Sequence, residues 1–489
     1  MDDQRAVSGP RVLALALVVA SATTAAAQPP YEFVYGPTTT VERAMRGVTP
    51  VRFCPGGGSI AVGTTGSAPN NRVYVTRTTA TGGPIWERIF DLAPIAGGET
   101  GESLVELSDG TGFMIVGTTR PGTGLPLDAF MLKVNCGGVA LGARTFHSPA
   151  DEGALNIVEA RTGNAAFGTS RGDLIVAGYA PDPTSTAGGR IGLLFRTKAS
   201  GALIWNRRYV LPGGARFTDL LEARPVTSPT GDVVAAGTIT PPGGPTQGYV
   251  IRVSGDTGAF GAAPHCAARY EAGTSARFEA LTELRTGALA GGLVMAGSAF
   301  EAATSNDIYL VRTGANPCAV QFQSRVGGAS AAPLGNEIGL DVLEVPFALP
   351  LAPSGSLAVT GSVASTFQSD AFLMIADVFG LKPIPGPGHI YGRHASGREI
   401  GQSIALAPNG FFIAGSTNTD FQGVGDSGDF YLVKPEVNGR TNCALGWNAP
   451  YVASTKPPVV VGPHPSAFLQ SITQTVSTGS VFTPFNVCP

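Results

Sequence analysis

The chain has 489 residues and a formal net charge of −3. With no basic cluster it gives no reason to expect nucleic acid or an anionic membrane as a partner. Charged residues are only 14%, against a usual ~25%, and the 67 Gly and 38 Pro follow no collagen period. An apolar content of 43% with regular strand spacing argues against a disordered chain.

From the start of the chain, Arg5 and Arg11 precede an apolar run, Val12–Ala20, and a small-residue stretch closes at Ala25-Ala26-Ala27. This pattern predicts a secretory signal over residues 1–27, cut before Gln28, and hence a secreted, extracellular or periplasmic protein. The run is too short to cross ~30 Å of hydrocarbon, and no later stretch is long enough either, so no membrane span is expected. Next comes Tyr31-Glu-Phe-Val-Tyr-Gly36, a strand-like segment resembling Trp86–Phe90 and Trp205–Tyr209 farther along.

From there a unit repeats. Its clearest mark is a strand ending in a small residue, Gly and usually Ser or Thr: AVGTT, IVGTT, VAGYA, AAGTI, MAGSA, VTGSV and IAGST, with the glycines at 63, 117, 178, 237, 297, 361 and 415. A second mark follows each: VYVTR, AFMLK, LLFR, YVIR, IYLVR, AFLMI and FYLVK, ending at Arg77, Lys133, Arg196, Arg252, Arg312, Ile375 and Lys434. The last copy, Gly397–Tyr451, holds four short apolar or alternating runs separated by Gly, Pro, Asn and Asp. Four such strands in one stretch make an antiparallel meander the size of a propeller blade. The prediction is an all-β, seven-bladed β-propeller of four-stranded blades over residues 28–452. Its blades run approximately 37–90, 98–146, 152–209, 215–270, 276–326, 335–392 and 397–452. Residues 453–489 are expected to form a C-terminal capping tail. A strand interior weakened by Gly signals close backbone approach, placed here near the axis. A ring needs closing, and either Tyr31–Gly36 or Ala444–Tyr451 could supply the last fourth strand.

Gly397–Thr417 and Asp429–Lys434, with looser copies at Gly101–Thr119 and Asp128–Lys133, resemble the bacterial β-propeller repeat (SBBP-type) proteins of secreted and cell-surface contexts. The resemblance implies architecture and location, not one shared activity. Blade 6, with Ile375 in the basic slot, and blade 3, lacking Asp before its third strand, depart from the pattern.

Six cysteines in an exported chain can all pair. Cys136, Cys266, Cys318 and Cys443 sit just before outermost strands. Equivalent positions in successive blades lie too far apart, on this reading, for mutual bridges. Cys443–Cys488 is the expected staple of the tail, with Cys54 the rival partner of Cys488. No C-x-x-C or Cys/His cluster suggests zinc.

Glu106, Glu159, Glu222, Glu283 and Glu344 recur near first-strand ends, with Arg52 and Leu406 in that slot of blades 1 and 7. They are read as structural partners of the third-strand bases. The channel mouth is less uniform: Glu102, Asp151, Glu152, Arg216, Asp219, Arg277, Glu279, Glu337, Asp341, Arg398 and Glu399 precede or open first strands. Mixed acids and bases around one mouth suit a small polar ligand, or the carboxylate pair of a glycosidase. A loop with Asp420, Asp426 and Asp429 is a weak calcium candidate without EF-hand spacing; no other cofactor is expected. The five histidines are scattered; His147 and His394, each following a fourth strand, read as structural corners. Trp86, Trp205 and Trp447 share the fourth-strand slot and are expected to pack between blades. The reading is a monomeric, non-catalytic secreted scaffold for a carbohydrate or protein ligand. The alternative is an exported polysaccharide lyase or glycosidase using mouth carboxylates.

Overall fold

The computed structural model describes residues 30–35 and 42–436 apart from connecting segments, the longest being 224–230, 328–335 and 418–428, and short pieces thereafter. It forms seven antiparallel sheets around one axis. Blade 1 is Glu42–Pro50, Ser59–Thr65, Arg72–Thr78 and Pro84–Asp91; blade 2 is Glu99–Glu106, Phe113–Thr119, Asp128–Val134 and Ala140–Phe146. Blade 3 is Gly153–Glu159, Leu174–Pro181, Arg190–Thr197 and Leu203–Tyr209; blade 4 is Ala215–Ala223, Asp232–Ile239, Gln247–Ser254 and Cys266–Tyr270. Blade 5 is Ser275–Glu283, Leu293–Glu301, Ser305–Thr313 and Val320–Val326; blade 6 is Glu337–Val345, Ser356–Ala364, Ser369–Ala376 and His389–Tyr391. Blade 7 takes Glu399–Ala407, Gly410–Thr417 and Asp429–Lys434 from the end of the chain and Tyr31–Tyr35 from its start.

The amino-terminal strand therefore closes the ring, paired from Tyr31↔Lys434 to Tyr35↔Phe430. Of the rival segment, Leu445–Gly446 and Tyr451 pair elsewhere. Leu445–Gly446, Tyr451–Ser454, Val459–Val460, Gln470–Ser471, Thr475–Ser477 and Phe485–Asn486 pair instead with the outer strands of blades 6, 5, 4, 2, 1 and 7. The tail thus runs around the rim against the order of the blades, adding a short fifth strand to each of those six. Such pairing covers edges that would otherwise present unpaired amides and carbonyls.

Second and third strands are buried on both faces, which is why they read as continuous Val, Ile, Leu and Phe rather than alternating. Each blade packs both its neighbours, and the buried residues fall into seven clusters, one per blade junction. The first strand of blade 1 touches those of blades 2 and 7, so the ring is closed at the axis as well as at the rim.

The marker glycines have a local cause. Opposite each, the first strand carries a β-bulge, for example between Gly101 and Ser103 and between Gly401 and Ser403. The bulge turns a carbonyl toward the second strand. A Cβ at Gly117, Gly178, Gly361 or Gly415 would sit within 1.8 Å of that oxygen. The close approach is to the blade's own first strand, not to the converging neighbours.

Candidate functional site

The repeated charges tie the ring together, but not by pairing with one another. The Glu106 carboxylate accepts the backbone N–H groups of Arg52, Phe53 and Cys54 in the preceding blade at 2.6, 2.9 and 2.8 Å. Glu222 does the same with Arg161 and Thr162, and Glu344 with Arg285 and Thr286. Glu159 accepts from the Ser108 amide and hydroxyl, and Glu283 has Arg285 at 3.9 Å. The third-strand arginines reach the other way and donate to carbonyls of the following blade. Arg77 donates to Cys136, Arg196 to Gly255, Arg252 to Ala315, and Arg312 to Val378 and Phe379. Arg196 and Arg252 also pair with Asp173 and Asp232 at 3.1 and 2.9 Å, and the main-chain bonds lower the cost of burying the remaining charges. Burial still pushes Arg77 and Arg312 below the usual arginine range.

The cysteines depart from expectation. Cys54–Cys136 joins blades 1 and 2, and Cys266–Cys318 joins blades 4 and 5, with Cα separations of 5.5 and 6.3 Å. Cys266 opens the fourth strand itself, whereas Cys318 lies in the turn before one. The start of a fourth strand leans over that turn in the next blade, so the two positions are not equivalent and do meet. Cys443 and Cys488 lie outside the described residues, as do Trp447, His394, His464, Asp420 and Asp426; Asp429 starts the third strand of blade 7.

Nearest the axis, the residues just past the bulges of blades 2, 3, 4, 6 and 7 carry polar side chains that bond along the inner circumference. Ser103 donates to Asn156, and Asn156 to Asp219; Asp219 also accepts the amides of Leu220 and Leu281 at 2.9 and 2.6 Å. Asp341 accepts the amides of Val342 and Ile404 at 2.7 and 2.9 Å and the Ser403 hydroxyl at 3.1 Å. Of the mouth residues, Asp219 and Asp341 are therefore held by the amides of the next blade. Glu152 is buried against Arg208 at 2.8 Å, and Glu399 accepts from Thr417 at 2.8 Å. Glu337 is buried at the start of its strand. Arg277 bonds Ser298 at 2.8 Å and lies 3.5 Å from Glu279.

Glu102 and Arg216 differ. They lie within electrostatic reach of Tyr179, together with Asp151 and Arg190. The Arg190 guanidinium stands 4.1 Å from the Tyr179 ring centroid and 3.7 Å from Asp151, both charges being about half exposed. A cation held over an aromatic face in this way is attracted by the ring quadrupole. Burial raises the Tyr179 hydroxyl above its usual range; Arg190 and Arg216 oppose that, and Glu102 and Asp151 add to it. Tyr179 pairs with Gly153, where a Cβ would meet the ring at 2.5 Å. The only sequence sign was Tyr after the marker glycine, where the other six copies have Thr or Ser: VAGYA against AVGTT and its kin. The repeat thus breaks its symmetry at one sector of the mouth, across blades 2 to 4.

His147 and His265 serve structural roles. His147 bonds Asp128 at 2.7 Å; His265 accepts from the Gly261 amide and so donates from its other nitrogen to Asp232 at 3.0 Å. Among the described residues no group of three or more His, Cys, Asp or Glu could hold a metal ion.

No protein-family profile matches the chain, and the comparison with curated proteins gives no match. Among solved structures, the GH93 α-L-arabinofuranosidase of Fusarium graminearum with arabinobiose aligns over 68% of this chain and 91% of its own, at 11% identity and a TM-score of 0.39. Its complex with an iminosugar inhibitor aligns over the same shares at 12% and 0.38. Sqt1 from Chaetomium thermophilum aligns over 80% and 96%, at 11% and 0.41. Nothing about activity is concluded from likeness at this level.

Proposed function

We propose that this is an exported, non-catalytic β-propeller scaffold of the SBBP type whose mouth, across blades 2 to 4, binds a carbohydrate. The observation that carries the reading is the group formed by Tyr179, Arg190, Asp151, Glu102 and Arg216, where the half-exposed Arg190–Asp151 pair lies over an aromatic ring. Two guanidinium groups and two carboxylates beside an aromatic ring offer hydroxyls and acidic groups of a sugar both donors and acceptors. The expected carboxylate pair of a glycosidase gets less support. Asp219 and Asp341 accept main-chain amides, Glu152 pairs with Arg208, and Glu399 accepts from the buried Thr417. A carboxylate so occupied is poorly placed to act as acid or nucleophile.

Screening the chain on a glycan array, alongside a polysaccharide-degradation assay, tests this. Retention of glycans without release of new ends is expected, with Arg190→Ala and Tyr179→Ala weakening retention about tenfold, the loss of one good contact. Release of products would establish the glycosidase or lyase alternative instead, and retention unchanged in both variants would move the site elsewhere.

A further inference from the structure

At the rim, one slot recurs in every blade but the sixth: the fourth-strand residue paired with the residue that ends the third-strand mark. It holds Tyr31 opposite Lys434, Trp86 opposite Arg77, Trp205 opposite Arg196, Cys266 opposite Arg252 and Phe322 opposite Arg312. In blade 2 the residue opposite Lys133 is Gly142. The two tryptophans show what the slot is shaped for. Trp86 donates its indole N–H to the Cys136 carbonyl of the next blade at 2.9 Å, and Trp205 donates to Gly255 at 3.1 Å. Their rings lie over the turn glycines Gly138 and Gly258, where a Cβ would come within 2.9 Å of indole carbon.

The junction of blades 2 and 3 keeps this frame without the ring. The turns match bond for bond: the Asn135 amide to Val139 and the Gly138 amide to Asn135 recur as Lys198 to Ala202 and Gly201 to Lys198. Ala199 thus stands where Cys136 does. Arg144 lies over Gly201 and donates to Ser200 at 3.0 Å, as Arg207 lies over Gly258 beside Trp205. Where the indole would be there is a cavity of about 320 Å³, lined by Met114, Met131, Lys133, Gly142, Arg144 and Ala199 among others. A Cβ at Gly142 would meet nothing within 4 Å.

We infer that this cavity is a binding site for a small indole carboxylate. The ring would take the place of the missing tryptophan, its N–H directed to the Ala199 carbonyl between the two methionines and the Arg144 stem. The acid would meet Lys133, which lies within electrostatic reach of Asp109 but makes no hydrogen bond or salt bridge with another described residue. A volume of this size is at the lower end for small-molecule sites, and thioether sulfurs contact aromatic rings favourably.

The test uses the full chain with two probes, indole and indole-3-propionate, followed by calorimetry and ligand-observed NMR. Both should bind, the acid roughly tenfold tighter through one charge-assisted bond. Lys133→Met should erase that advantage and leave indole unchanged. Gly142→Trp should abolish both and raise the melting temperature, because the side chain completes the slot from within. If that variant fails to fold, Gly142→Leu makes the same test with fewer atoms. Absence of binding to the natural chain at millimolar probe, or undiminished binding to the filled variant, overturns the site. Tighter binding of N-acetyl-tryptophanamide than of indole-3-propionate overturns the assignment to a free acid.

Discussion

The junction of blades 1 and 2 and that of blades 2 and 3 are built on the same plan and completed differently. The first is closed by Trp86 over Gly138, by Arg77 reaching Cys136, by three amides on Glu106 and by a disulfide. The second has Gly142 in place of the tryptophan, Lys133 in place of the arginine, and Glu159 on a single exposed serine. Its apolar cluster is intact, with Met114, Met131, Phe146 and Phe195 buried between the sheets. A propeller junction thus separates into a core near the middle of the sheets, which every blade needs, and a rim that any one junction can leave open.

The largest effect should come from removing the covalent tie at the closed junction. Cys54→Ala with Cys136→Ala opens a loop whose ends are 82 residues apart. The chain-entropy account puts the loss at roughly 4–5 kcal/mol, read as a lower denaturant midpoint. A change below about 1 kcal/mol would mean that the junction holds without it. Trp86→Ala should cost about 3–4 kcal/mol, since it empties a buried slot and strips the Cys136 carbonyl of a donor. The reverse change, Gly142→Trp, should raise stability; if it lowers it, the two slots are not equivalent.

Glutamates sharpen the contrast further. Glu106→Ala should cost about 2–3 kcal/mol by leaving amides of residues 52–54 without an acceptor, whereas Glu159→Ala, on an exposed partner, should cost under about 1 kcal/mol. Equal costs would show that exposure does not separate the junctions. The smallest effect concerns two acids at the start of third strands. Asp128 is met by His147, while Asp370 Oδ1 has no hydrogen-bond partner among the described residues, and desolvation raises its pKa to about 6. A raised carboxyl pKa means the folded state holds the proton more tightly than the unfolded one. Stability therefore falls as pH rises from about 4 to 6, and the full cost is present above that window. Asp370→Asn should raise the melting temperature at pH 8 by a few degrees and leave it unchanged near pH 3; an equal shift at both would exclude titration as the cause.

Much of this is legible in the sequence. The seven marker glycines counted the blades, and at Gly117, Gly178, Gly237, Gly297, Gly361 and Gly415 the carbonyl beside the bulge admits no side chain. The recurring glutamates and arginines announced structural roles, although main-chain groups and nearby aspartates, rather than each other, are the main partners. Tyr31–Gly36 matched the fourth-strand pattern well enough to be a candidate for closing the ring. The Cys266–Cys318 bridge was misjudged, since residues occupying one slot in sequence are a strand start and a turn in space.

What the sequence determined by itself was the repeating unit, its number and its buried faces, all of which follow from local spacing and from which residues tolerate water. Tertiary structure alone decided which strand closes blade 7, where the tail pairs, which cysteines meet, and that Tyr179, Arg190 and Glu102 share one sector of the mouth. Those outcomes depend on contacts between blades. The geometry of such a contact is set by how neighbouring sheets lean on each other around the ring, and no residue pattern within one repeat encodes that.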